Sequence, residues 1–532
     1  MINPPSRSFN CRQRQMANDM ACLSLSTLPA EILQQIFGHF CLHCQGEHDK
    51  AWDAIPIKPR ETKQRPRDRS WYSLDRHALF SLCLTSKRLQ LVAERVLYHE
   101  FVLGYGDSWD TDQYHWDGRF LSFMRTIASR RDLAQLVQSV YISPQLINAS
   151  CSIEELKDVR SVLTEAAASI GILLLDAWRR RASVVAYPEG AGWEETFPLF
   201  IKYFLDPKAE WTDERRKALY VETSETGRCW LHAELLAVLI ACLPNLQQLS
   251  IDNNAEWPIH GLPVSAFAAL NVSVLGLKRY DYGLGARAVF DLATGLEELN
   301  IHKHAPEVNI QLPGVKILRI TQAIFMEEDL ESLLKACTSG LRTFAYDAAE
   351  QNPFVLTVHH QPSFAVRLLQ EHKETLTHVH YDVSLRKDMR RVDSSLSFRD
   401  FPVLESLLIS AVLIRDYLTP DPPDYPIDEA LARLLPAGLR VLSIRDFYDE
   451  GVKNALLGLV DLMKRHPTSF PRLKIVTAPV GEDAGVFTNL FQAVGVHFST
   501  KCCSLAQARG FLLESLELMM QAPPLPDSDD DL

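Results

Sequence analysis

Cys41, His43, Cys44 and His48 fall within eight positions of one another, and thiolates and imidazoles are the side chains that hold zinc. Cys41 and Cys44 flank the end of an apolar helix, however, and a buried cysteine serves equally as a small hydrophobe. No second ligand pair follows at finger-like spacing, and Cys502-Cys503 lacks the spacer of a tetrahedral site. From sequence, therefore, no metal and no cofactor is assigned. His302, His304, His359, His360, His378 and His380 form a second group, several of them after segments that read as strands, where residues two apart project to one face. Neither a carboxylate nor a nucleophile joins them in a recognisable motif. Gly283-Leu284-Gly285 lacks the third glycine of a dinucleotide fingerprint, and neither a phosphate-binding loop nor a nucleophile elbow occurs. The expectation is a protein with no catalytic residues, a binding module and not an enzyme.

The elements that would position any site follow from hydrophobic periodicity. In Leu25-Ser-Thr-Leu28-Pro29-Ala-Glu31-Ile32-Leu33-Gln-Gln-Ile36-Phe37 a hydroxyl residue precedes a proline suited to a first helical turn, and Glu31 sits where the helix dipole favours negative charge. Leu28, Ile32, Leu33, Ile36, Phe37 and Phe40 then recur at spacings of three and four, giving one wide apolar face. A polar, proline-bearing stretch over 42–76 reads as a long loop, and its basic run Lys58–Arg69 as solvated chain. A second helical pattern runs from about Leu79 to Tyr98.

After residue 130 the spacing changes: an apolar residue is followed by a second three positions on and a third two positions later, the signature of a turn entering a short strand. The triads are Val137, Val140, Ile142; Leu246, Leu249, Ile251; Val272, Leu275, Leu277; Leu296, Leu299, Ile301; Val315, Leu318, Ile320; Leu341, Phe344, Tyr346; Leu376, Val379, Tyr381; Leu404, Leu407, Ile409; and Leu439, Leu442, Ile444. From Leu246 onward they recur at intervals of 19 to 35 residues, near leucine-rich-repeat lengths. Short amphipathic segments, Asp329–Cys337 and Ala430–Leu435 among them, lie between. Stacked units of strand, turn and helix bury a core that no single unit makes alone. On their strands Phe344, Tyr346 and Tyr381 are candidate anchors for a partner, with inward-facing core the stronger reading.

The chain of 532 residues carries a net charge of −12, which disfavours nucleic acid as its main partner. Eleven scattered cysteines suit a reducing compartment. The polar start resembles no secretory leader, and no window approaches a membrane span. These features predict an intracellular protein, cytoplasmic or nuclear, with no membrane partner.

Two separated blocks carry a resemblance. Leu28–Phe37 resembles the opening helix of an F-box, and Leu82-Cys-Leu84-Thr-Ser-Lys-Arg-Leu89, with Ala93, Leu97 and Tyr98, resembles its closing helix as written in fungal F-box proteins. The similarity covers residues 25 to about 100, and the repeats resemble the leucine-rich-repeat partner such proteins often carry. It implies the substrate-recognition subunit of an SCF-type cullin-RING ubiquitin ligase, binding the Skp adaptor, and through it the cullin scaffold, by the F-box and an unknown protein substrate by the repeats. Adaptor contacts would come from Leu28, Pro29, Ile32, Ile36 and Phe37, while Leu82, Leu84, Leu89 and Val92 would divide between contact and packing. The departure from the family is the long insertion between the two blocks. A non-degradative repeat scaffold and, from another class, a hydrolase using the strand-end histidines are the rivals.

The expected fold is thus α/β: a short N-terminal helical F-box followed by an irregular leucine-rich-repeat solenoid, curved, with a strand-lined concave face. Its divisions are a disordered 1–24, the helical module 25–100 with its insertion, irregular early repeats with a helical insertion over 101–243, repeats over 244–500, a C-terminal helix 501–522 and an acidic tail 523–532.

Overall fold

The structure is a computed structural model that describes residues 25–45, 71–102, 119–142, 153–184, 226–251, 264–282, 287–302, 310–323, 325–348, 360–383, 396–418, 430–445 and 450–500. The expected disordered ends, the C-terminal helix, the basic run Lys58–Arg69, Gly283–Gly285 and Cys502-Cys503 lie outside these residues, as do His48, His304 and His359.

It is a mixed α/β chain organised on one parallel sheet of twelve strands whose spatial order is their sequence order. The strands are β1 (Glu100–Val102), β2 (Ser139–Ile142), β3 (Gln248–Ile251), β4 (Arg279–Tyr282), β5 (Glu298–His302), β6 (Ile317–Ala323), β7 (Thr343–Ala348), β8 (His378–Asp382), β9 (Ser406–Ser410), β10 (Val441–Arg445), β11 (Ile475–Thr477) and β12 (His497–Ser499). Helices are described in all but two of the intervals between strands. Parallel neighbours require such crossovers.

The three-plus-two spacing works because its second position sets the register. Phe101, Val140, Leu249, Tyr280, Leu299, Leu318, Phe344, Val379, Leu407, Leu442, Val476 and Phe498 stand side by side across all twelve strands. All but Phe101 are buried, within one continuous core shared with the helices. Two residues on, Ile301, Ile320, Tyr346, Tyr381, Ile409 and Ile444 form a parallel row in the same core. Phe344, Tyr346 and Tyr381 are therefore core residues and not exposed anchors. A further ladder enters each strand: the residue before it accepts hydrogen bonds from the next unit, beginning with His99 O from the amides of Gln138 (2.8 Å) and Ser139 (3.2 Å) and ending with Lys474 O from His497 N (2.8 Å).

Eight of the nine expected triads coincide with strands. The exception is Val272, Leu275, Leu277: β4 lies further on, and the triad in register is Leu277, Tyr280, Tyr282. Tyr280 takes the register place that Leu249 and Leu299 hold in the neighbouring strands. Three strands were not expected, β1, β11 and β12, each only three residues long. The helical stretch expected over Leu156–Arg181 is two helices, Ile153–Ser169 and Leu174–Val184, separated at Gly171 by a left-handed backbone. Among the described residues no single helix is long and apolar enough to cross a membrane.

The turn into β7 shows how tightly the units fit. Gly340 has φ +83°, and a Cβ there would stand 2.7 Å from the Thr375 hydroxyl, whose oxygen donates to Leu341 O at 2.8 Å. Gly340→Ala adds left-handed strain to a steric clash, so it should lower the urea midpoint by the equivalent of about 2 kcal/mol or more; an unchanged midpoint refutes this packing. At the same turn His372 is buried and its Nδ1 accepts from Leu341 N at 3.4 Å. Burial lowers its pKa. The unfolded chain therefore binds the proton more readily, and stability should fall as pH drops through the ordinary histidine range. Denaturation at about pH 7.5 and about pH 5.5 should show a smaller acid loss in His372→Gln than in the native chain; an equal loss in both removes His372 as the cause.

Candidate functional site

Among the described residues the N-terminal module has four α-helices: α1 (Ala30–Gly38), α2 (Leu42–Gln45), α3 (Trp71–Thr85) and α4 (Lys87–Leu97). The loop expected over 42–76 is thus partly helical, α2 at its start and the first turns of α3 at its end. The single second helix expected from Leu79 is two, because Ser86 breaks the run and caps α4, accepting from Leu89 N at 3.3 Å. Apolar residues at spacings of three and four turn Leu33 and Phe37 of α1, Leu79 of α3 and Leu89, Ala93 and Val96 of α4 toward one another. With Cys41 they make a small core distinct from that of the sheet. The Arg88 guanidinium donates to Leu28 O at 2.6 Å and ties α4 to the start of α1.

The structure divides the expected contact residues. Phe37 and Leu89 are interior, Phe37 only 1% exposed, so both pack the module and offer no surface to a partner. Leu28, Ile36, Leu82 and Val92 are half-buried at the edge of that core. Pro29, Ile32 and Leu84 face outward, Ile32 at 40% and Leu84 at 72% exposure. Sequence reading missed Leu25, Phe80 and Leu91, all exposed. Phe80 was detectable, since it lies four positions before Leu84 and so shares its helix face. Five of the ten large apolar side chains left exposed among the described residues belong to this module, Leu25, Ile32, Phe80, Leu84 and Leu91. Scattered single residues need no explanation, but half of those exposed among the described residues lie on this one small unit.

The module joins the sheet through Glu100, the first residue of β1, whose side chain is almost wholly buried. Its carboxylate accepts from Leu42 N (3.3 Å) and His43 N (2.9 Å) and pairs with Arg76 of α3 at 3.4 Å. Arg76 donates in addition to Leu97 O and, at 3.3 Å, to Glu100 O. Phe101 stacks on Phe123 with centroids 3.8 Å apart. One step before Glu100, the His99 ring reaches α2, where its Nδ1 lies 3.1 Å from Cys44 Sγ. Cys41 Sγ donates to Glu100 Oε2 at 3.5 Å. A hydrogen bond with Cys44, then burial, pushes the Cys41 thiol up to about 12; the same bond lowers Cys44, and one with Cys41 raises His43. Of the four residues grouped in the sequence, three converge here, and His99 joins them from 55 positions beyond Cys44.

Among the described residues the strand histidines do not assemble into a site. His360 is a core residue whose Nδ1 lies 3.1 Å from Phe325 O and whose Nε2 lies 2.8 Å from the Tyr381 hydroxyl. His378 and His380 stand on the sheet face opposite Val379 and Tyr381, and burial lowers the pKa of His378. That face also carries a polar ladder in which Glu298 pairs with Arg279 (3.2 Å) and Arg319, and Arg445 pairs with Asp382 at 2.5 Å.

If Glu100 fastens the module, Glu100→Ala removes the carboxylate that pairs with Arg76 and accepts from two amides, at a cost of about 3 kcal/mol or more. Hydrogen exchange should then quicken in α1, α2 and α3 while β8 to β10 keep their protection; exchange unchanged in the helices removes the clasp role.

No protein-family model matches this chain, and no curated protein matches it.

Proposed function

We propose that the chain is a substrate-recognition subunit of an SCF-type cullin-RING ubiquitin ligase, with the helical module docking on a Skp-type adaptor and the strand-and-helix units holding a protein substrate. One observation carries the reading: a small module that closes its own core nevertheless presents Leu25, Ile32, Phe80, Leu84 and Leu91 to solvent. Apolar side chains on short helices gain most by entering a partner's groove, at about 2 kcal/mol for each well-buried anchor. Ile32 and Leu84 belong to the two blocks that carry the F-box resemblance. Phe37 and Leu89, expected as contacts, act in this reading as the packing that holds the surface residues in place.

The strictly sequential parallel sheet, with its rows of Leu, Ile, Val and aromatic residues, supports reading the remainder as a leucine-rich-repeat solenoid. In that arrangement the strand faces carrying the Arg279–Glu298–Arg319 ladder, His378 and His380 would be the substrate side. Charged and hydrogen-bonding groups on such a face confer specificity more than raw affinity.

Binding of the purified full chain to a Skp-type adaptor tests the proposal. Ile32→Asp combined with Leu84→Asp changes exposed positions and should leave the circular dichroism unaltered while weakening adaptor binding by roughly a hundredfold or more. A folded native chain that does not bind, or a double variant that binds as well as the native chain, overturns the adaptor reading. Where binding holds, a captured partner that is never ubiquitinated by the reconstituted ligase converts the proposal to a non-degradative scaffold.

A further inference from the structure

The geometry points to a structural zinc site in which Cys41, His43, Cys44 and His99 hold one ion and clamp the α1–α2 corner to the entry of β1. One ligand atom from each of the four residues lies within 4.8 Å of every other. A tetrahedral zinc ion with bonds of about 2.3 Å to sulfur and about 2.0 Å to nitrogen requires ligand atoms roughly 3.3 to 3.8 Å apart. The separations of Cys44 Sγ from His99 Nδ1, 3.1 Å, and from His43 Nδ1, 3.9 Å, bracket that range. Since no separation exceeds 4.8 Å, side-chain shifts of up to about 1 Å complete the site.

The donor set selects the metal. Two sulfurs and two imidazole nitrogens, with no oxygen ligand, suit zinc and disfavour magnesium or calcium. Four protein ligands leave no open position, which marks a structural and not a catalytic ion. Charge points the same way: two thiolates balance one Zn²⁺, while Glu100, 3.5 Å from Cys41 Sγ, is balanced separately by Arg76. Glu100 also supplies the outer shell, because its bonds to the amides of Leu42 and His43 fix the backbone that carries three of the ligands. The fourth is equally fixed, since the His99 carbonyl holds Gln138 and Ser139 in the strand ladder. Metal binding here would close the loop between residues 44 and 99, which contains the whole insertion and α3 and α4. The site is independent of what the module docks on.

The test uses the reduced full-length chain, freed of metal and titrated with zinc against a chromophoric chelator, then with cobalt(II) to read the strong visible absorption of a tetrahedral thiolate site. Cys44→Ser replaces an exposed ligand and His99→Gln a half-buried one; Cys83→Ser, outside the cluster, is the control. The native and control chains should take up one zinc each, with affinity falling about a hundredfold or more in the two ligand variants, and a chelator should lower the melting temperature of the native chain but not of Cys44→Ser. A folded, reduced native chain that binds no stoichiometric zinc or cobalt overturns the site. So does equal affinity in Cys44→Ser, whose exposed position makes misfolding an insufficient excuse should His99→Gln fail to fold.

Discussion

Glu100 carries its carboxylate into a position with almost no solvent contact, and the groups that answer it come from two other parts of the chain. The amides of Leu42 and His43 belong to α2, Arg76 to α3, and Glu100 itself opens β1. A buried carboxylate without partners costs several kcal/mol. Any conformation in which the helices drift from the sheet must therefore meet that cost, so a polar contact sets the placement of an otherwise apolar module. Its own core holds seven buried side chains among the described residues. The Phe101–Phe123 stack adds apolar contact beside the clasp, and the cysteine and histidine cluster lies directly against it.

Beyond that junction the molecule is governed by repetition. The His99 carbonyl begins a ladder that is rebuilt at the entrance to every later strand, and the same register position is apolar in all twelve. Each unit needs its neighbour on both sides to bury its helix, which is why one continuous core runs through the sheet from β2 to β12. Unit length is free to vary as long as the ladder and the core row keep register. The long interval between β2 and β3 illustrates this, since its helices Ile153–Ser169, Leu174–Val184 and Thr226–Cys242 join the same core without disturbing the strand order.

The sequence revealed the strands wherever a turn-entering apolar residue and two inward residues kept their spacing, because that spacing is imposed by the geometry of a short strand leaving a turn. It misled at β4, where Tyr280 takes the inward place and a chance match at Val272, Leu275 and Leu277 competes five residues earlier. It missed β1, β11 and β12 because three-residue strands are too short to establish a period. At the candidate site, helical spacing identified the apolar face of α1 but could not say which edge of it points inward. Ile32, Leu33, Ile36 and Phe37 all belong to a wide stripe, and only the packing of α3 and α4 decides that Leu33 and Phe37 are enclosed while Ile32 is not. His99 was invisible as a neighbour of Cys44 for a related reason. No local rule links residues 55 positions apart; the fold brings them together when β1 starts where α4 ends.

The division of labour in the proposed reading follows from where rigidity is placed. A docking surface of exposed apolar residues is stable only if the module beneath it holds its shape without the partner, since otherwise Ile32, Phe80 and Leu84 would collapse inward to escape water. The interior positions of Phe37 and Leu89 fill that inward space, and the Arg88 contact with Leu28 O fixes the end of the module where α1 begins. The charged ladder on the strands lies on other elements and draws on none of these residues. An adaptor on the helices and a substrate on the strands could thus be held by chemically different surfaces, apolar at one and charged at the other.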